Sequence, residues 1–482
     1  MKKLKELIEK IDVLEIKADL DITVSGVCYD SRKVQQGDVF VAIKGLEFDG
    51  HSYIAQAHDR GAACVICEDI PKNINAQYIA VADTRIALAV MSAAWFDNPA
   101  SKLKIIGVTG TNGKTTVTTL IKQLLEELSG GNVGLLGTNG NFIADEQYET
   151  SLTTPESYDI QRLLSIMAEK NCKFAVMEVS SHALSLKRVY GIEFEVGIFT
   201  NLTPEHLDFH KTMDAYAKAK AKLFSMSRHC VINSDDEYAP VMINKANGSV
   251  FTYSVYDDSA EMQGKSIQLR PNRVDFCALM TGNLQRVEIN IPGIFSVYNA
   301  LATMSAVLLV GYDFEEIASK VKLCTGVKGR VEIVPTGKDY TVIIDYAHTE
   351  NALENVLAMA RESAKGRVVT LFGCGGDRDS SKRPAMGKVA AEHSDFVIVT
   401  TDNPRTEDPM SILSQITAGM SDSKTPYEVI PNRLEAIHWA LDNLITDDIL
   451  ILAGKGHETY QIIGKTKNHF DEREIVIDYL NN

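Results

Sequence analysis

No apolar run long enough to cross a bilayer occurs anywhere in the 482 residues, so no membrane span is expected. The N-terminal stretch MKKLKELIEKIDVLEI opens with positive charge but lacks the apolar core of a secretory signal, because charges interrupt it every few residues. Basic excess is missing too. With 49 Lys and Arg against 64 Asp and Glu the formal charge is −15, which excludes a general nucleic-acid binder and an anionic membrane surface as partners. A local basic site for a small anion remains open. The 8 cysteines have no regular spacing, which predicts a reducing, cytoplasmic setting. Cys64 and Cys67 form a lone CxxC inside the apolar GAACVICED; with no second pair at zinc spacing they read as core cysteines. Internal repeats and low-complexity tracts are absent.

What is present suits a multidomain enzyme-sized chain, since 45% hydrophobic and 23% charged residues can bury full cores. Three textures follow one another, over 1–99, 100–328 and 329–482. In the first, GDVFVAIKG and GAACVICED predict strands, and RIALAVMSAAWF predicts a helix that ends near Asn98-Pro99. The second opens on LKIIGVTGTNGKTT, a strand running into a glycine-rich turn. A helix follows, with Val117, Leu120, Ile121, Leu124, Leu125 and Leu128 at helical spacing and Gly130 and Gly131 stopping it. The strands KFAVMEVSS, FEVGIFTN and HCVINSDD each end in polar residues, and a β-rich piece at 250–292 reads as an insertion. The third repeats the alternation in YTVIIDYAH, RVVTLFGCGGDRD, DFVIVTTDNPR and DILILAGKGHE. The fold class is therefore α/β, with a small N-terminal domain, a central P-loop parallel-sheet domain and a C-terminal doubly wound domain. Ligands are expected at the carboxyl ends of the strands.

GVTGTNGKTT, residues 107–116, carries the sharpest chemistry. A glycine-rich turn before a helix presents backbone N–H groups and the positive end of the helix dipole to a phosphate. Gly110, Thr111, Asn112 and Gly113 would cradle it, Lys114 would reach the β- and γ-phosphates, and Thr115 or Thr116 would ligate Mg²⁺. The first glycine of the common P-loop spacing is Val108 here; glycines stand at 107, 110 and 113 instead. Glu178, at the end of its strand in MEVSSH, is a hard ligand suited to that cation. Read alone, Glu178 could be a solvated glutamate, the loop histidines His206 and His210 unremarkable, and YAKAKAKLF a plain lysine-rich helix face.

GTNGKTT, MEVSSH, NLTPEHLDFH, YAKAKAKLF, DYAHT, GCGGDRDSSKRP, DNPR and GKGHE occur in one order. As a set they resemble the Mur ligases of peptidoglycan synthesis, along the whole chain, and within them the branch that adds the third residue of the peptide stem. The resemblance implies three domains: 1–99 for the UDP-sugar, 100–328 for ATP, and 329–482 for the amino acid, the last closing over the site. It implies that a D-glutamate γ-carboxylate of the UDP-N-acetylmuramoyl dipeptide takes the γ-phosphoryl group of ATP. The resulting acyl phosphate is then attacked by the incoming amine. It implies that Thr115 and Glu178 hold one magnesium. His206 helps hold a second, with Lys220 as a carbamate (N6-carboxylysine). Carbamylation needs a neutral amine, hence a lysine with a lowered pKa; the register over Lys218 and Lys222 rests on Tyr216 and Phe224. Asn299, Arg330, Asp345 and His348 are implied near ATP. The family more often has proline at Lys328, and its helix start after DYAHT differs from Glu350 and Asn351 here. Ser31, Thr153, Thr154, Ser181 and Arg188 are implied contacts of the UDP-sugar.

Within the same resemblance, DNPR reads the amino acid. meso-Diaminopimelate carries a distal carboxylate that lysine lacks, and a guanidinium pairs with carboxylate through two hydrogen bonds. Arg405 is the expected reader, helped by Arg378 and Asn403, with Gly454 and Glu458 on the distal amino group and Asp402 and Asp408 orienting the arginine. The plain alternative for Arg405 is an ion pair with Glu407. Other readings stay open: the same reaction with L-lysine, another ligase of the superfamily such as folylpolyglutamate synthase, or a nucleotide-binding regulator without ligase chemistry. A cytoplasmic monomer acting on small molecules is expected, without nucleic acid or membrane insertion.

Overall fold

The computed structural model describes all residues except 46–47, 72–75, 145, 151 and 482. Two compact units emerge, Met1–Met262 with Ala302–Ile317, and Gln263–Leu301 with Ala318–Asn482.

Beside a small two-stranded pairing of Lys2–Lys3 with Thr23–Val24, the first unit holds two large sheets. The N-terminal one runs in the order Val13–Lys17, Tyr78–Val81, Cys64–Cys67, Val39–Val41, Val27–Cys28. Only its first pairing is antiparallel. Val39–Val41, Cys64–Cys67 and Tyr78–Val81 are buried on both faces, and Cys64 and Cys67 are free thiols within this core, as expected from their apolar setting. The expected helix spans Thr84–Trp95, and the Asp83 carboxylate caps it by accepting from the Arg85 and Ile86 amides.

The central sheet places six parallel strands in the order Val133–Gly137, Phe174–Glu178, Lys104–Thr109, Phe194–Phe199, Ser227–Asn233, Ser249–Ser254. Gly140–Ile143 and Glu146–Tyr148 add antiparallel at one edge. The phosphate-type turn lies between Lys104–Thr109 and the helix Lys114–Ser129. Val117, Leu120, Ile121, Leu124 and Leu125 bury one stripe of that helix, and left-handed Gly130 (φ 63°) ends it. One expectation is corrected. The β-rich insertion does not begin at 250, because Ser249–Ser254 is a parallel strand laid against Ser227–Asn233. Composition alone did not separate this last parallel strand from the antiparallel hairpin Arg273–Met280 with Asn283–Ile289 further along.

The second unit is built on a sheet ordered Glu332–Val334, Thr341–Asp345, Ile449–Ala453, Val368–Phe372, Phe396–Val399, Tyr427–Val429, parallel after the first pairing. Alternate residues feed two cores. Ile343, Phe372, Val397 and Ile451 face one, with helices Glu350–Ser363, Lys382–His393 and Pro409–Ala418. Val342, Ile344, Leu371, Ile398 and Leu452 face the other, with helices Arg433–Asn443 and Glu472–Asn481. Two covered faces are why these strands read as unbroken apolar runs. Strand Tyr427–Val429 escaped notice because it is short and mostly exposed. Among the described residues no helix is long and apolar enough to cross a membrane.

Candidate functional site

The glycine turn is held from behind by the next loop. The Thr111 amide donates to the Asn201 carbonyl (2.9 Å) and the Asn112 amide to Asn201 Oδ1 (2.9 Å). The Thr200 hydroxyl donates to the Asn112 carbonyl at 2.6 Å. Gly110 adopts φ 151°, and a Cβ there would lie 1.9 Å from Thr200 Oγ1, so only glycine fits. The Lys114 ammonium folds onto the Gly110 and Thr111 carbonyls (2.9 and 2.7 Å). Thr115 and Thr116 stand in the first turn of the helix, partly buried.

Glu178 ends its strand beside this turn and is 1% exposed. Its carboxylate accepts from the Thr138 amide (2.8 Å) and hydroxyl (3.2 Å). Burial pushes its pKa up, against those donors, the Lys114 charge and the Thr115 hydroxyl. A desolvated carboxylate next to the phosphate turn and a threonine hydroxyl is a set that fits a hard cation. Among the described residues no three His, Cys, Asp or Glu gather as a closed metal cage. Mg²⁺ does not need one, because it keeps water and phosphate oxygens as ligands.

Lys220 is 1% exposed and donates to the same Gly110 carbonyl, at 2.7 Å. Its ammonium lies 4.5 Å above the Tyr216 ring. Burial first, then the neighbouring Lys114 charge, drives its pKa well below the lysine range. Lys218 pairs with Asp214 in solvent and Lys222 is exposed, so burial selects Lys220 from the three. His206 sits left-handed (φ 55°) ahead of the short helix Leu207–His210, its ring 6.2 Å from Tyr216 and 4.9 Å from His182. Tyr216 thus brings His206 and Lys220 to one place.

Four of the five expected sugar-substrate contacts surround Glu178. Thr154 Oγ1 donates to the Glu178 carbonyl (2.8 Å), and Thr138 Oγ1 bonds Thr153 Oγ1 (3.1 Å). Ser181 Oγ bonds His210 Nε2 (2.9 Å), and Arg188 donates to Glu156 (2.9 Å) and the Thr154 carbonyl (3.1 Å). Ser31 is not joined to them by any described contact; its hydroxyl donates to Gln56 Oε1 (2.8 Å) in the N-terminal part.

In the second unit Asn299 is buried in helix Ile294–Leu309. Asp345 uses both carboxylate oxygens internally, on the Val331 and Ala347 amides (2.8 Å each), so it shapes the turn before Tyr346. The Arg330 guanidinium lies 5.1 Å over the Tyr346 ring, and His348 Nδ1 is 2.8 Å from the Tyr346 carbonyl. The two departures from the family pattern are absorbed locally. Lys328 pairs with Asp471 at 2.7 Å, and Thr349 caps the helix that begins at Glu350.

The loop after Phe396–Val399 meets those after Val368–Phe372 and Ile449–Ala453. Asn403 is buried; its amide donates to Glu458 Oε2 (2.9 Å) and its Oδ1 accepts from the Ile462 amide (2.9 Å). Asp402 is buried with its carboxylate against Gly454, where φ is 113° and a Cβ would come within 2.8 Å of Asp402 Oδ2. Arg405 itself is left-handed (φ 51°), pinned by its amide to the Ile462 carbonyl (3.1 Å) and by the Gly464 amide to its carbonyl (2.7 Å). Its Nη1 donates to the Gly376 carbonyl at 2.7 Å. Arg378 is exposed beside Gly375. One alternative is set aside and one expectation is corrected. Glu407 pairs with Arg383 rather than Arg405, because the buried guanidinium of Arg383 takes both its oxygens (2.6 and 2.8 Å). Asp408 does not orient Arg405; its carboxylate caps Pro409–Ala418 through the Ser411 amide (3.0 Å).

Family models match in three consecutive pieces: the Mur ligase family catalytic domain at residues 23–105, the Mur ligase middle domain at 108–307, and the Mur ligase glutamate ligase domain at 329–456. The UDP-N-acetylmuramoyl-L-alanyl-D-glutamate--2,6-diaminopimelate ligase of Caldanaerobacter subterraneus subsp. tengcongensis is 46% identical over 97% of this chain and 96% of its own. The chain belongs to the Mur ligase family. A solved structure of a ligase with that same name superposes with a TM-score of 0.78 at 31% identity, covering 100% of this chain and 99% of the other. Mycobacterium tuberculosis folylpolyglutamate synthase complexed with ADP shares the fold alone, with a TM-score of 0.59 at 16% identity over 77% of this chain and 91% of its own.

Several Mur-ligase site neighbours had been passed over in the sequence. Lys455 of GKGHE is fully buried, 3.2 Å from Glu458 Oε2 and 3.4 Å from Asn403 Oδ1. Glu156 receives both Arg188 and Arg85. His182 packs among His206, Phe209 and His210, edge-on to the first and tilted to the other two. Lys455 and His182 lie inside quoted motifs and could have been marked; Thr138 and Arg85 carry no local signal.

Proposed function

We propose that this Mur ligase joins meso-2,6-diaminopimelate to UDP-N-acetylmuramoyl-L-alanyl-D-glutamate at the expense of ATP, as a cytoplasmic monomer making peptidoglycan precursor. Residues 1–99 take the UDP end, 100–328 the ATP, and 329–482 the amino acid. The D-glutamate γ-carboxylate attacks the γ-phosphorus, ADP leaves, and an acyl phosphate results. The amine of diaminopimelate attacks the acyl carbon, loses its proton, and phosphate departs as the amide closes.

Anions must approach anions in the first step, so cationic groups must be gathered there. Lys114 swings from the Gly110 and Thr111 carbonyls to the phosphates, which Gly110, Thr111, Asn112, Gly113 and Thr116 surround. Thr115 and Glu178 would hold one magnesium, and His206 with carbamylated Lys220 a second; such ions would supply the remaining positive charge. Lys220 qualifies because burial and the neighbouring Lys114 charge both disfavour its ammonium form, and carbamylation needs the free amine. Asn299, Arg330 and His348 serve the nucleotide, and Asp345 does so indirectly, by shaping the turn that carries His348; Ser31, Thr153, Thr154, Ser181 and Arg188 serve the UDP-sugar.

The observation that carries the choice of amino acid is the state of Arg405. Its acidic neighbours are engaged elsewhere, Glu407 by Arg383 and Asp408 as a helix cap, and among the described residues no carboxylate pairs with it. A partly buried guanidinium with a single carbonyl partner has donors left for a carboxylate, and diaminopimelate brings one. Lysine would leave those donors desolvated and unpaired. Asn403, Arg378, Asp402, Gly454 and Glu458 complete the cradle. The test is phosphate release with ATP, Mg²⁺ and the UDP-dipeptide. Wild type should prefer diaminopimelate to L-lysine, and Arg405→Ala should lower kcat/KM for diaminopimelate about 10³-fold. Preference for lysine, or indifference to Arg405→Ala, overturns the amino-acid assignment. Phosphate release independent of any amino acid overturns the ligase reading.

A further inference from the structure

Arg383 touches none of the residues assigned to bind diaminopimelate, yet two of the loops that carry them close around it. Its side chain is fully buried. Nη1 donates to Glu407 Oε1 (2.6 Å) and Gln415 Oε1 (2.9 Å); Nη2 donates to Glu407 Oε2 (2.8 Å) and the Gly375 carbonyl (3.1 Å). One guanidinium therefore spans the loop after Val368–Phe372, the DNPR loop and helix Pro409–Ala418. Around it the two loops are laced together. Glu407 Oε2 also accepts the Asp377 amide (3.1 Å), and the Asp377 carboxylate accepts the Thr406 amide and hydroxyl (3.1 and 2.9 Å). The Gly376 amide donates to the Asn403 carbonyl at 2.9 Å. The loops approach so closely that a Cβ on Gly376 would lie 1.9 Å from the Pro404 carbonyl oxygen.

The lacing fixes Arg405. Its guanidinium is anchored on the Gly376 carbonyl at 2.7 Å, so its aim depends on where the 375–377 segment sits. Arg383 sets that position through Gly375 and, by way of Glu407, through Asp377. We propose that Arg383 is a positioning residue for amino-acid selection, holding the Arg405 guanidinium in register through the Arg383–Glu407–Gly375 clamp. This rests on the reading of Arg405 as the diaminopimelate reader. A planar fork with two carboxylate bonds, one amide bond and one carbonyl bond cannot be replaced by an ammonium, which keeps the charge but loses the fixed geometry.

The test measures KM for each of the three substrates, kcat, the ratio of kcat/KM for diaminopimelate over L-lysine, and thermal unfolding, in wild type, Arg383→Lys and Glu407→Gln. Both variants should raise KM for diaminopimelate about 10- to 100-fold, with KM for ATP and the UDP-dipeptide and kcat little changed. The preference over lysine should fall by a similar factor. Glu407→Gln keeps the shape of the clamp without its charge and provides the readout if Arg383→Lys does not fold. Unchanged KM and preference in the folded variants overturn the proposal. So does an equal loss for all three substrates accompanied by a lower unfolding temperature, which marks a structural role only. Wild type that ignores diaminopimelate overturns the reading beneath it, and this inference with it.

Discussion

At the residue scale the arrangement turns on which side chains are dry. Lys218, Lys220 and Lys222 are close in sequence, but on a helix residues two apart point to nearly opposite sides. Lys220 alone is buried, and two ammonium groups, its own and that of Lys114, converge on the Gly110 carbonyl. Both effects favour the neutral amine that carbamylation requires. Lys220→Ala and Lys220→Arg should each lower phosphate release by at least about 10²-fold, and added bicarbonate should restore neither. Full activity in either variant would end the carbamate role. The sequence offered Lys220 only through the framing Tyr216 and Phe224; its burial lies with the packing around them.

At the element scale, strand ends and helix starts present the groups. Every expected polar strand end is found at the carboxyl edge of its sheet, because a crossover from a parallel strand must leave there. What individual loop residues do was less legible. Asp408 looked like a partner for Arg405, yet it sits one residue before Pro409 and accepts the Ser411 amide, the geometry of a helix cap. Asp408→Ala should therefore cost about 1 kcal/mol of stability and lower the unfolding temperature, while the preference for diaminopimelate over lysine stays at the wild-type value. A shift in that preference would return Asp408 to the recognition set.

At the scale of the whole molecule, charge is used to fasten sheets as well as to bind. In the second unit the Asp448 side chain is fully buried at the start of Ile449–Ala453, and Arg367 Nη2 reaches it at 2.6 Å from the start of Val368–Phe372. Burial alone would raise the Asp448 pKa; the hydrogen bonds from Arg367 and the Ile445 and Arg367 amides outweigh it, and the net shift is downward. The sign follows. A carboxylate with a depressed folded pKa stabilises the fold above its unfolded value of about 3.9, and that contribution is lost as pH falls through the folded value. Asp448→Asn should unfold at lower temperature than wild type near neutral pH, and the gap should begin to narrow as the pH drops below about 4 and close only once it has fallen through the depressed folded value. A gap independent of pH would mean that Asp448 acts by shape alone.

The sequence by itself determined the alternation of strand and helix, the glycine turn between a strand and a long helix, and the ordered motif set that marks a Mur ligase. These are local, written in periodicity and in residues with special backbone or charge. Only the tertiary structure decided which of the neighbouring lysines is buried. It also decided that Glu407 belongs to Arg383, that Asp345 is consumed by backbone amides, and that Ser249–Ser254 closes the parallel sheet. Each of these depends on what a distant segment places alongside, and a carboxylate or lysine carries no sign in the chain of which partner the fold will bring to it.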